Sequence, residues 1–212
     1  KNTQKYSIPE KMANYQVSRT YADFDALAAE AEQWDLDLCQ LDAGEFHGRV
    51  LQFGIDKAHI SEARFGRILK QQGAPPDRLR TIVVPGSEDV AFRWRGADID
   101  GDSLMIFPQG AELDVVSDAR FHVFTCSFSD ELLEGIACNL GINANAGSRA
   151  QREVVRCTTA DMAKIRNLLR GLCRDVSADA EALCHSEVAE AMSWELPALL
   201  LATTATSVGR CE

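Results

Sequence analysis

The chain lacks the marks of several protein classes. It has no apolar run near the roughly 18 residues that a membrane-crossing helix needs. Its longest, Pro197-Ala198-Leu199-Leu200-Leu201-Ala202, falls far short. The segment Lys1 to Tyr21 is polar and holds no secretory leader, so a cytoplasmic location with no membrane partner is expected. The seven cysteines are odd in number and form no C-x-x-C pair, and no spacing between them resembles a zinc site. Unpaired cysteines scattered through a chain of this size fit a reducing compartment, where they serve as small core filler. G-x-S-x-G, the P-loop and G-x-G-x-x-G are all missing, so neither a nucleophile elbow nor a phosphate cradle is encoded. Positive charge is in short supply as well. The net charge is −10, which repels phosphate backbones and argues against nucleic-acid binding by this chain as it stands.

What remains is an ordinary globular composition, 46% hydrophobic and 25% charged, in 212 residues. That is enough chain to bury a core without disulfides or metals. Asp23 caps a short helix in which Phe24, Leu27, Ala28 and Ala31 recur at helical spacing. From Glu45 to Phe128 short strands alternate with Gly- and Pro-rich turns. Val50–Ile55, His59–Phe65, Leu79–Val84, Val90–Trp94, Ser103–Phe107 and Phe121–Cys126 read as strands, and Gln72-Gly73-Ala74-Pro75-Pro76 as a loop. The spacing leaves no room for crossover helices, so a sandwich or small barrel is expected rather than a parallel sheet. After Phe128 the texture becomes helical. Ser129 caps a helix start, Asn139 to Ser148 is a Gly- and Asn-rich loop, and Met162, Ile165, Leu169, Leu172 and Val176 form a seam at alternating intervals of three and four. A further helix is expected over about Ser177 to Met192 and another from near Ser193, with Pro197 in its first turn.

An ordered set of segments carries a resemblance. Phe24 to Leu27 and Trp34-Asp35-Leu36-Asp37 come first, then Gly48-Arg49-Val50-Leu51-Gln52. Arg93-Trp94-Arg95-Gly96, Leu104-Met105-Ile106-Phe107-Pro108, Gly110-Ala111-Glu112-Leu113-Asp114 and Phe121 to Phe128 follow. Over residues 20 to 136 this resembles the regulatory half of bacterial AraC-type transcription regulators. The resemblance implies an α+β fold: an N-terminal cupin-like β-barrel that binds a small-molecule effector, followed by a C-terminal helical dimerisation segment. The organisation implied is an N-terminal arm over 1–22, the barrel over 23–137, a linker over 138–158 and the helices over 159–206. Family members also carry two helix-turn-helix motifs, and neither is found here. Gln151 to Glu212 holds seven basic against nine acidic residues, so DNA would be reached only through a domain absent from this chain.

The resemblance also frames the candidate sites. Metal-binding cupins place a His at the end of a P-x-G-x-x-H stretch. Here Pro108-Gln109-Gly110-Ala111-Glu112-Leu113 ends in leucine, which cannot coordinate an ion, and no H-x-H occurs elsewhere. No metal, no other cofactor and no catalysis are expected. The competing readings are a metal-free cupin-like enzyme such as an isomerase, or a ligand-free interaction domain. Inward acid–base residues on neighbouring strands would favour the enzyme, with Arg64, Glu112 and His122 as loose candidates. The effector pocket is expected to draw on Phe53, Arg64, Thr81, Phe92, Trp94, Phe107, Glu112 and Phe124. Arg64 or Arg93 would meet a carboxylate and Glu112 an amine. Arg93 and Trp94 must point to opposite faces, which favours Trp94 in the pocket. His59 and His122 read as core or surface histidines. The seam Met162, Ile165, Leu169 and Leu172 packs on its own barrel or on a second copy. The resemblance favours a homodimer, with Arg166 and Arg170 at its rim.

Overall fold

The computed structural model describes residues 14–31, 34–107, 110–142, 153–179 and 181–208. Strands dominate the first two thirds: β1 (Tyr15–Tyr21), β2 (Asp35–Gln40), β3 (Gly48–Ile55), β4 (Ala58–Phe65), β5 (Leu69–Ala74), β6 (Leu79–Pro85), β7 (Phe92–Trp94), β8 (Ala97–Ile99), β9 (Ser103–Phe107), β10 (Leu113–Val116), β11 (Phe121–Ser129) and β12 (Val154–Arg156). Helix α1 (Phe24–Glu30) lies between β1 and β2, and α2 (Asp130–Leu140) follows β11. The C-terminal part holds α3 (Thr159–Ala178), a 3₁₀ turn at Ala182–Cys184, α4 (Ser186–Glu190), a π-helical turn at Ala191–Glu195 and α5 (Leu196–Val208).

The strands form two antiparallel sheets, a seven-stranded one in the order β1-β3-β4-β11-β6-β9-β12 and a five-stranded one in the order β2-β5-β10-β7-β8. The fold is α+β, as expected. One apolar core lies between the sheets, built from Leu38, Phe65, Leu69, Phe92, Trp94, Phe107 and Phe121 among others. A second lies on the outer face of the seven-stranded sheet, where Leu51, Phe53, Ile60, Phe124 and Cys126 meet α3 and α5. The central strands are therefore covered on both faces, which explains why Val50-Leu51-Gln52-Phe53 shows little alternation.

Local signals act where the sequence places them. Asp23 caps α1 by accepting the Asp25 N–H at 3.0 Å. Ser129 caps α2 through the Leu132 N–H at 3.2 Å, and Gly141 ends it in the left-handed conformation. Thr158 and Asp161 form a reciprocal cap on α3, Asp161 N–H to Thr158 Oγ1 at 3.1 Å and Thr158 Oγ1–H to Asp161 Oδ2 at 2.7 Å.

The structure corrects several expectations. The end of the arm over 1–22 is β1, an edge strand paired with β3 from Tyr15↔Gly54 to Tyr21↔Gly48. Gln72-Gly73-Ala74 is strand, not loop, because β5 pairs with both β2 and β10. Gly73, at φ +141°, is required there, since a β-carbon would drive into the Asp35 carbonyl of β2. The linker expected over 138–158 contains β12, which pairs with β9 and ties the helices to the sheet; residues 143–152 lie outside the described residues. The turn read at Pro108-Gln109 lies outside them too. The helix expected over Ser177–Met192 is broken into short pieces, and a π turn rather than a loop delivers Pro197 into the first turn of α5.

The largest correction concerns the seam. Met162, Ile165 and Leu169 are fully buried and Leu172 nearly so, all in the core beneath α3. They cover the outer face of the chain's own sheet and present nothing to a second copy. Each contributes roughly 1.5–3 kcal/mol by leaving water. The expected rim arginines serve the same internal purpose. Arg166 is buried and donates to the carbonyls of Pro85 (3.0 Å) and Gly101, while Arg170 donates to Gly86 at 2.8 Å. They fasten α3 to the end of β6 and its following turn, and to the turn between β8 and β9.

Candidate functional site

The register of the seven-stranded sheet fixes what its inner face presents. Residues directly opposite in an antiparallel pair share a face. One inward row runs Gln52–Ser61–Thr125–Val83 across β3, β4, β11 and β6. The next row along the strands is Gly54–His59–Ser127–Thr81. In the opposite direction the rows are Val50–Ala63–Val123 and then Gly48–Phe65–Phe121. The inner face is thus graded, with neutral polar groups at one end and apolar and aromatic groups at the other. The aromatic end is continuous: Phe65 stacks on Phe121 at 5.3 Å between centroids, and Phe92 meets Phe121 edge-on at 5.4 Å.

Between the sheets lies a cavity of about 80 Å³. Its walls are mainly apolar, including Leu27, Val50, Phe65, Val83, Phe92, Met105, Phe107, Leu113 and Val115, and its polar side chains include Gln52, Ser61, Thr125 and Gln71. A smaller recess of about 10 Å³ adjoins it, sharing Trp34, Gln52, Ser61 and Thr125 and adding Tyr15, His59 and Ser127. Burial lowers the His59 pKa against the opposing pull of the Asp56 backbone, which disfavours the charged imidazole. Its ring stacks on Tyr15 at 5.7 Å. Gln71 comes from β5 of the facing sheet, where it shares an inward row with Leu38, Val115 and Trp94. Its Nε2 is buried and has no hydrogen-bond partner, and the same holds for Trp94 Nε1.

Of the residues expected in the pocket, Phe92 and Phe107 line the cavity. Trp94 is buried in the same core and packs against Phe107 at 4.6 Å, behind the cavity wall, while Arg93 is exposed on the opposite face. Thr81 faces inward, but its hydroxyl is engaged with Ser127 Oγ at 2.8 Å. Four residues belong elsewhere. Phe53 and Phe124 sit one position out of phase with the inward rows and pack under the helices. Arg64 points outward, with Nη2 donating to Glu62 Oε1 at 2.6 Å, and Glu112 is exposed just before β10. Sequence reasoning missed Gln52, Ser61, Gln71 and Thr125. Period-2 alternation from Phe65 or Phe121 would have reached Ser61 and Thr125, but only known register could decide which face was inside.

The acid–base groups gather on the outer face. Glu62 Oε1 meets His122 Nε2 at 2.9 Å as well as Arg64. Burial acts to raise the Glu62 pKa, but the hydrogen bonds from its two partners outweigh it and hold the carboxyl down to about 2. Nearby, burial pushes the Cys173 thiol up to about 12 and Cys126 higher still, so neither is a thiolate nucleophile. Among the described residues the cavity walls carry no carboxylate or thiol, and the position where metal-binding cupins place a ligand histidine is Leu113, an apolar wall residue. Among the described residues no three His, Cys, Asp or Glu side chains converge as a metal site. The donor set does not fit a bound metal ion.

Comparison with known proteins places this geometry. No family model matches the sequence, and no curated protein matches it. Solved structures do. The crystal structure of the AraC-like transcriptional activator CuxR aligns at a TM-score of 0.60 with 12% identity, covering 90% of this chain and 70% of that one. The two chains share a fold. Two variants of Bacillus subtilis oxalate decarboxylase, each 15% identical, align at a TM-score of 0.32 and cover 56% and 57% of this chain and 39% of theirs. Among the described residues no helix is long and apolar enough to cross a membrane.

Proposed function

We propose that this chain is the sensing part of a transcription regulator, binding a small-molecule effector between its two sheets. The observation that carries the reading is the cavity itself, an apolar chamber with a few neutral polar groups, the usual make-up of a small-molecule site. The fold shared with CuxR over most of both chains supports the regulatory setting. A non-catalytic role fits the position of Glu62 and His122, which lie across the sheet from the cavity. Effector binding would act by favouring one arrangement of attached DNA-binding domains over another. Pairing of two copies belongs to this reading. It would use surface other than the α3 seam, such as the outward side of the C-terminal helices where Trp194 is exposed.

The test is thermal melting of the chain against a library of small metabolites, with its solution mass measured first. A dimer whose melting temperature rises with one chemical class is the expected result, because selective binding stabilises the folded state by mass action. A monomer that answers to no class overturns the reading.

A further inference from the structure

The cavity walls constrain what can enter. Among the described residues, the polar side chains around both recesses are Gln, Ser, Thr, Tyr, Trp and His59, whose charge burial disfavours, and none is Asp, Glu, Lys or Arg. A carboxylate or ammonium in that space would lose its water and gain no opposite charge, a cost of several kcal/mol. The arginines and carboxylates that could have met it, Arg64, Glu62 and Glu112, face away. Size is a second constraint. About 80 Å³ of free space admits roughly six water-sized atoms at 10–15 Å³ each. The third constraint is a missing bond. The Gln71 amide reaches into the cavity wall with Nε2 buried and unpartnered. An unmet buried donor costs about 1–3 kcal/mol, which an acceptor on a ligand would recover. Trp94 Nε1, in the same inward row, leaves another donor unmet.

Resting on the sensor reading above, we infer that the barrel takes a small uncharged ligand: an apolar ring or short chain bearing one hydrogen-bond acceptor, with the acceptor on Gln71 and the apolar body towards Phe65, Phe92 and Phe121. The gradient of the inward rows orients it. A carbonyl or hydroxyl oxygen lies at the level of Gln52, Ser61 and Thr125, and the hydrocarbon part contacts Val50, Ala63 and Val123.

Three probes matched in size separate the elements of this inference: cyclohexanone, methylenecyclohexane and cyclobutanecarboxylate. They differ in offering a neutral acceptor, no acceptor and a charged one. Binding is read by titration calorimetry and ligand-observed NMR on the full chain, with xenon as a probe of whether the cavity admits any guest. The ketone is expected to bind about tenfold tighter than its hydrocarbon isostere, the worth of one hydrogen bond. The carboxylate is expected to show no binding where the ketone saturates. In Gln71→Leu the tenfold preference disappears, while the melting temperature holds or rises because a buried unmet donor has been removed. Gln71→Met, unbranched and of similar length, serves the same purpose should leucine disturb the wall. Equal affinity for ketone and hydrocarbon, or a preference that survives both substitutions, overturns the role of Gln71. Tight binding of the carboxylate overturns the neutrality argument and leaves the sensor reading standing. If xenon enters and none of the three probes does, the ligand class is wrong but the cavity remains. If xenon is also excluded, this inference and the sensor reading fail together.

Discussion

The seven-stranded sheet is buried on both faces, but the two faces are finished differently. On the outer face Leu51, Phe53, Phe124 and Cys126 meet Met162, Ile165, Leu169 and Leu172 of α3, and these side chains are almost wholly buried. On the inner face the aromatic cluster stops short of closure. It leaves about 80 Å³ open and a buried amide without a partner. Interiors ordinarily reach crystal-like density, and lining atoms that face a void lose dispersion contacts outright. The inner core therefore forgoes stability that the outer core, in the same sheet, collects. Such a local deficit is where a ligand can contribute most.

The comparison can be broken by substitution. The largest expected difference is between Leu169→Ala beneath α3 and Leu113→Ala in the cavity wall. The first opens a hole in a closed core and should cost about 3–4 kcal/mol, whereas the second widens an existing space and should cost about half as much. Denaturant midpoints at constant m-value measure both. Equal losses would mean that the inner core is as tightly supported as the outer. A reversal of sign is expected next when side chains are enlarged. Ala137→Leu, on the buried side of α2, should destabilise by about 1–3 kcal/mol through overpacking, while Ala63→Leu fills the cavity and should be neutral or stabilising. Thermal melts decide it. Ala63→Leu should also abolish the xenon signal.

The same two faces explain what was legible in the sequence. Most strands were, because Gly and Pro turns bracket short β-branched and aromatic runs, and helix starts were, because Asp23 and Ser129 act through local hydrogen bonds. Facing was not. β3 and β11 are buried on both sides, so Phe53 and Phe124 were expected in the pocket, whereas the register puts them on the outer face and Phe65 and Phe121 on the inner one. The second half of β5, Gln72-Gly73-Ala74, was read as a loop because Gly73 and the prolines after it break regular structure, although the close approach to β2 is what demands Gly73, a matter of packing rather than of strand propensity. The α3 seam was visible as a helix with an apolar stripe, but a stripe does not say whether it meets its own sheet or another chain. Only the outer-face residues of β3, β4 and β11, once placed by register, account for it.

The smallest expected effect tests whether charge is confined to the outer face. Glu62 is held at about 2 when folded, against 4.5 for an unperturbed glutamate. A depressed carboxylate contributes stability that is complete above the unfolded value and is lost as pH falls through the folded one. Folding should therefore weaken between about pH 5 and pH 1 in the parent chain. With partial solvent screening this contribution is on the order of 1 kcal/mol. Glu62→Gln keeps the shape and removes the titration, so the stabilities of the two proteins should differ at pH 6 and converge only below the folded value, near pH 1. The ketone–hydrocarbon ratio in the cavity should not change, because His122, Arg64 and Glu62 all point to the other side of the sheet. A parallel shift in stability and in probe binding would show that the two faces are coupled through β4 and β11. The sheet would then act as a connection between the cavity and α3 rather than a partition.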